Sequence, residues 1–151
     1  MNELRVLKAL VVCHAGVGLG LGHLTRAHVV ARAMQQELGA QVQLLIQGDV
    51  VSMDALDRVV HQFLPSHESL SDAVTLLARQ NDVHLLVFDL HPMQVPVDID
   101  DLFVELRSNG RKLIAVDALA CHSRFLDLVF IPAFQFQPPP NTEDGGKFIF
   151  G

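Results

Sequence analysis

The chain has 151 residues, half of them hydrophobic and 19% charged, with a mean hydropathy of +0.31. That length suits one domain, and the apolar balance predicts either a sheet buried on both faces or a surface normally covered by a partner. The net charge of −6, with 17 acidic and 11 scattered basic residues, leaves no basic face for nucleic acid, and the absence of Trp and Tyr removes two base-stacking side chains.

Two cysteines, Cys13 and Cys121, stand far apart and outside any CxxC pattern. They read as reduced thiols of a cytoplasmic protein rather than as a disulfide. The start, MNELRVLKALVVCH, imitates a signal peptide, but His14 breaks its apolar run and a glycine array follows. No uninterrupted apolar run reaches about 18 residues, so no membrane span is expected.

Residues 6–14, VLKALVVCH, form an apolar run typical of a strand buried on both faces. From Leu24 the apolar residues fall at 24, 27, 31, 34 and 38, one helical stripe, and Gly39 supplies a C-cap. QVQLLIQ (41–47) is the next strand. Ser52 is expected to cap a helix reaching Phe63, with Met53, Leu56, Val59, Val60 and Phe63 on one side. A further helix fits 70–80, capped by Ser69 or Ser71. HLLVFD (84–89) is a buried strand, and Pro92 and Pro96 make the following segment a loop. Asp98 opens a helix that stops at Asn109-Gly110. KLIAVD (112–117) and LDLVFI (126–131) are two more strands, joined by a loop with Cys121 and His122.

Strands alternating with helices predict an α/β, doubly wound, mostly parallel sheet, a Rossmann-like domain over residues 1–134. Residues 135–151 read as a proline-rich connector and a short strand, KFIFG, leading toward a second domain absent from this sequence.

In such a sheet the ligand crevice lies beyond the carboxyl ends of the strands. The 14–23 loop, Gly48-Asp49, Asp89 with His91, and Asp117 all fall there. An Asp at a strand end also commonly caps a turn or helix. The glycines of HAGVGLGLGH fit neither phosphate-loop pattern: no GK[ST] follows, and the third glycine of GxGxxG would fall on Leu21 or His23. Asp49 still stands where a ribose-binding acid would, and a purely structural turn also fits. What remains is a strand–loop–helix entry with exposed amides, an anion site suited to a phosphate or diphosphate, to which Arg26 can add a charge-assisted contact. His23 stands in the first helical turn, where the dipole disfavours the charged ring, so a neutral imidazole beside a leaving diphosphate suits a general base. A lone histidine equally suits a cap or a packing position. The eight histidines form no HxxxH or HxH pair, so no metal and no cofactor are expected.

GLGHLTRAHVVARAM (20–34) resembles the GxGHxxRxxxLAxxL opening of GT-B-fold nucleotide-sugar enzymes. The nearest likeness is to the UDP-sugar hydrolases of the pseudaminic-acid pathway and allied predicted glycosyltransferases, with a more distant one to the peptidoglycan GlcNAc transferases. LLVFDLHPM (85–93), LIAVDALACHSRFLDLVFIP (113–132) and KFIFG (147–151) are similar to further segments of the same family in the same order. The resemblance implies a nucleotide sugar as substrate and an active site in the cleft to a C-terminal domain. It implies His23 as the group that activates water against the anomeric carbon in hydrolases, or an acceptor hydroxyl in transferases. Gly20 and Gly22 would let the backbone approach the diphosphate, and His91 stands near where the hydrolases carry a tyrosine. A phospho-ligand-binding module without catalysis is the reading from a different class.

Overall fold

The computed structural model describes residues 6–132 and 147–151. It contains strands β1 (Lys8–Ala15), β2 (Gln41–Gly48), β3 (Val60–Leu64), β4 (Leu85–Asp89), β5 (Lys112–Val116), β6 (Leu128–Ile131) and β7 (Phe148–Phe150). Helices α1 (Gly22–Leu38), α2 (Leu70–Gln80) and α3 (Ile99–Ser108) alternate with them, and single 3-10 turns occupy Asp54–Arg58, Pro92–Gln94 and Ala120–Phe125. The seven strands form one sheet in the order β3-β2-β1-β4-β5-β6-β7, every pair parallel. This is the expected doubly wound α/β, Rossmann-like architecture.

Strand alternation divides the core into two layers. Leu10 and Val12 of β1 join Leu45, Leu86 and Phe88 against α2 and α3, where Phe88 meets Phe103 edge-on at 5.0 Å between ring centroids. Val11 and Cys13 join Leu44, Ile46 and Val87 against Leu24, Ala27, Ala31 and Met34 of α1. β1 is therefore apolar along both faces, which accounts for much of the hydropathy. Gly39 closes α1 in the left-handed region at φ 61°, as its position predicts. Ser69 is the N-cap of α2, its hydroxyl accepting the Asp72 N–H at 3.1 Å. Ser71 instead donates to Asp98 at 2.8 Å, which ties the starts of α2 and α3 together.

One expected element is corrected. Residues 52–63 are not a helix: a single 3-10 turn is followed by β3, which pairs with β2 in the register Gln43↔Val60 to Gln47↔Leu64. The apolar spacing there is compatible with either period. β2 has backbone groups on its outer edge that need partners, and pairing satisfies them where an isolated helical turn could not. β-Branched Val59 and Val60 favour the extended form, and Val60, 69% exposed, marks the sheet edge. Most of the 135–151 connector lies outside the described residues, while residues 148–150 extend the same sheet as β7.

α1 carries the chain from β1 to β2 on one side, and α2 carries it back past β1 to β4 on the other. The loops leaving β1 and β4 therefore diverge. In doubly wound sheets the ligand crevice lies at such a divergence, here at the carboxyl ends of these two strands.

Candidate functional site

The loop from β1 into α1 is tightly folded. Gly20 N–H and Leu19 N–H both donate to the Gly16 carbonyl, at 3.0 and 3.2 Å. Gly16 has φ 146°, and a Cβ there would lie 2.6 Å from an Asp49 carboxylate oxygen. That oxygen, Oδ2, accepts the Val17 N–H at 2.8 Å. Asp49 thus clasps the glycine loop from the end of β2, a role that its position alone did not reveal. Gly20 (φ 74°) turns the chain into α1, which opens at Gly22, and a Cβ at either would meet open space.

α1 begins without a side-chain cap and without an acidic residue in its first turn. Its first amides therefore lack intrahelical acceptors, and the positive end of its dipole is not neutralised from within the helix.

His23, in that first turn, faces the last residue of β4. Its Nδ1 lies 2.7 Å from Asp89 Oδ1. Arg26, one turn on, grips the same carboxylate side-on, Nε to Oδ2 and Nη2 to Oδ1, both at 2.6 Å. Asp89 is 1% exposed, so its charge is out of water and depends on this pairing. The hydrogen bonds to Asp89, chief among the causes, hold the Arg26 guanidinium above its ordinary pKa. Arg26 Nη2 also lies 3.4 Å from His23 Nδ1, but it cannot donate there once that nitrogen carries its own proton to Asp89. The carboxylate accepts Nδ1–H, so the lone pair of the neutral ring sits on Nε2, and the side chain is 14% exposed.

Asp117 follows β5 in the left-handed region (φ 69°), with its N–H on the Phe130 carbonyl at 2.8 Å. It brings Oδ2 to 3.5 Å from Arg26 Nη2. His91 stands edge-on to His23, with ring centroids 5.5 Å apart. Its Nδ1 accepts the Met93 N–H at 3.3 Å, which leaves Nε2–H as the donor of the neutral ring.

The structure thus gathers His23, Arg26, Asp89, His91 and Asp117 at one crevice, with Gly20 and Gly22 on its entry loop. Arg26 differs from expectation in its partner: two of its donor nitrogens are committed to Asp89, and only Nη1 makes no hydrogen bond among the described residues. His14 and Gln47 escaped the sequence reading. His14 is 1% exposed near the end of β1, its Nδ1 accepting the His91 N–H at 2.9 Å and its Nε2 lying 3.2 Å from Gln47 Oε1. A histidine inside a strand apolar on both faces was the available signal, since a buried polar group requires a partner. A cavity of about 570 Å³ lies at the opposite end of the strands, lined in part by Gln41, Gln43 and Asn81, and includes none of these residues.

The architecture has counterparts among solved structures. A glycosyltransferase from Rickettsia africae ESF-5 superposes with a TM-score of 0.59 at 9% identity, over 97% of this chain and 42% of the other. The lipopolysaccharide outer core galactosyltransferase WaaB, in its apo form, superposes with a TM-score of 0.53 at 10% identity, over 82% of this chain and 39% of the other. The fold is shared with glycosyltransferases. At such identities the likeness concerns the fold alone, and the chain spans about two fifths of each of these proteins. No family model and no curated protein sequence matches the chain. No helix among the described residues is long and apolar enough to cross a membrane.

Proposed function

We propose that this chain supplies the base-bearing half of a nucleotide-sugar-dependent enzyme. His23 Nε2 takes the proton of a hydroxyl as its oxygen attacks the anomeric carbon; the bond from that carbon to the diphosphate oxygen breaks, and the nucleoside diphosphate leaves. The observation that carries this reading is the His23–Asp89–Arg26 cluster, set where the β1 and β4 loops diverge and where α1 begins without a side-chain cap. Asp89 orients the ring and stabilises the imidazolium as it forms, while Arg26 balances the buried carboxylate. The α1 amides, with Gly20, Gly22 and Arg26 Nη1 beside them, suit the charge that develops on the diphosphate. In this reading His91 Nε2–H and Asp117 would serve as a donor and an acceptor for sugar hydroxyls. The opposite wall of the cleft would come from a second domain, a reading supported by the share of the two glycosyltransferases that this chain spans.

Water as the nucleophile, giving hydrolysis of a UDP-sugar, is favoured by the resemblance of residues 20–34 and 113–132 to the hydrolases. An acceptor hydroxyl, giving transfer, is favoured by the fold shared with two glycosyltransferases. Both require the same base. The deciding experiment is UDP-sugar turnover by the longest native product, with and without saccharide acceptors. Release of UDP without acceptor supports hydrolysis, and release that depends on acceptor supports transfer. Nucleotide-sugar binding with no turnover under either condition overturns the catalytic reading in favour of a binding module.

A further inference from the structure

Beneath the crevice a line of hydrogen bonds runs from the loop before α2 across β2 and β1 and ends on the His91 backbone, just beyond β4. His14 and Gln47 stand opposite each other in the β1–β2 register. Gln47 Nε2 donates to the Glu68 carbonyl at 2.8 Å, in the loop before α2, and its Oε1 faces His14 Nε2 at 3.2 Å. His14 Nδ1 takes the His91 N–H at 2.9 Å.

The direction of every link is determined by chemistry. A backbone N–H can only donate, so His14 Nδ1 must be bare. The ring proton then sits on Nε2 and donates to the amide oxygen of Gln47, whose NH₂ is left for the Glu68 carbonyl. The line is complete only while His14 is neutral. A second proton, on Nδ1, would point at the His91 N–H and set two donors against each other.

We propose that His14 is a positioning residue for the crevice: through the His91 amide it holds the segment after β4 in place, and with it the ring that abuts His23. The proposal deepens the reading of His23 as the base, because His91 is the wall against which that ring stands at 5.5 Å. His91 is also only two residues beyond Asp89, so the anchored segment adjoins the carboxylate that holds the His23 ring. The ionisable groups around His14 are His23 from α1, and Asp89 and His91 from the end of β4. β2 and the loop before α2 contribute the neutral Gln47 amide and the Glu68 carbonyl to the line. Burial is the chief influence, and it pushes His14 below its ordinary value of 6.5.

The test needs no substrate, so its outcome is separate from that of the turnover assay. Imidazole and amide nitrogens of the ¹⁵N-labelled protein are followed by NMR from neutral to acidic pH. His14 is expected as the neutral Nε2–H form, gaining its second proton only below the ordinary histidine range. The His91 amide and the His23 ring signals should inflect at that same midpoint. His14→Asn, which keeps an acceptor near Nδ1, should preserve the slow exchange of the His91 amide and abolish the shared inflection. His14→Leu should speed that exchange by about tenfold, as expected for one lost hydrogen bond. An Nδ1–H tautomer, a His14 midpoint at the ordinary value, or a His23 ring indifferent to the His14 titration overturns the proposal. If His14→Leu does not fold, the unsubstituted protein and His14→Asn still decide it.

Discussion

Among the described residues, two short aspartate–histidine pairs of nearly equal length stand in very different settings. His23 Nδ1 lies 2.7 Å from Asp89, and His122 Nδ1 lies 2.6 Å from Asp100. Asp89 is 1% exposed, gripped side-on by Arg26, and stands at the carboxyl end of a central strand. Asp100 is 38% exposed on the first turn of α3 and meets a single Arg124 nitrogen at 3.2 Å. Arg124 itself lies over the Phe125 ring, 4.5 Å from its centroid. Distance therefore does not separate the two pairs. Burial of the carboxylate and the place in the fold do, because a charge removed from water must be matched by its neighbours, whereas one in water is screened.

The comparison is broken or sharpened most strongly by removing each ring in turn. His23→Ala should lower turnover by about 10²–10⁴-fold, the usual worth of a positioned general base, and leave nucleotide binding largely intact. His122→Ala should stay within about twofold of the parent, a change too small to reflect loss of a general base. Near-parental turnover by His23→Ala would erase the distinction between the pairs. Substituting the carboxylates is the next largest probe. Asp89→Ala takes from Arg26 both hydrogen bonds to its buried partner, and chemical denaturation should show a loss of about 1.5–3 kcal/mol. Asp100→Ala, exposed and screened, should cost less than about 1 kcal/mol; equal losses would mean that burial does not set the scale.

A smaller effect is expected in the pH dependence of stability. The folded pKa of His14 lies below 6.5, so between those two values the unfolded chain binds a proton that the folded chain does not. Stability from this group is full above about 6.5 and declines as pH falls toward the folded value. Melting followed across that window should show the decline in the unsubstituted protein and a flatter profile in His14→Asn. The smallest change belongs to Arg124→Ala, which leaves the His122–Asp100 contact in place and should shift stability by only a few tenths of a kcal/mol.

Much of the sheet was legible from local pattern. Runs such as ALVVC (9–13) and LLVF (85–88) are too short for helices and too apolar for a half-exposed strand, so they read as buried parallel strands. Residues 52–63 were misread because their apolar spacing satisfies two periods, and the open edge of β2 decided between them. At the site, His23, Arg26 and Asp89 could be singled out from a motif and a strand end. Their mutual grip could not, since it joins residues 63 and 66 positions apart in the chain.

The sequence by itself determined the alternation of strand and helix, the turn rich in glycine, and the presence of a histidine at the start of α1. Those features follow from periodicity and from backbone angles that few residues tolerate. Only the tertiary structure decided that Asp49 clasps the glycine loop, that Asp89 holds the His23 ring, and that His14 reaches the His91 amide. Each of those contacts depends on which strands become neighbours. That is set by the burial of both sheet faces at once, and no local stretch of the chain encodes it.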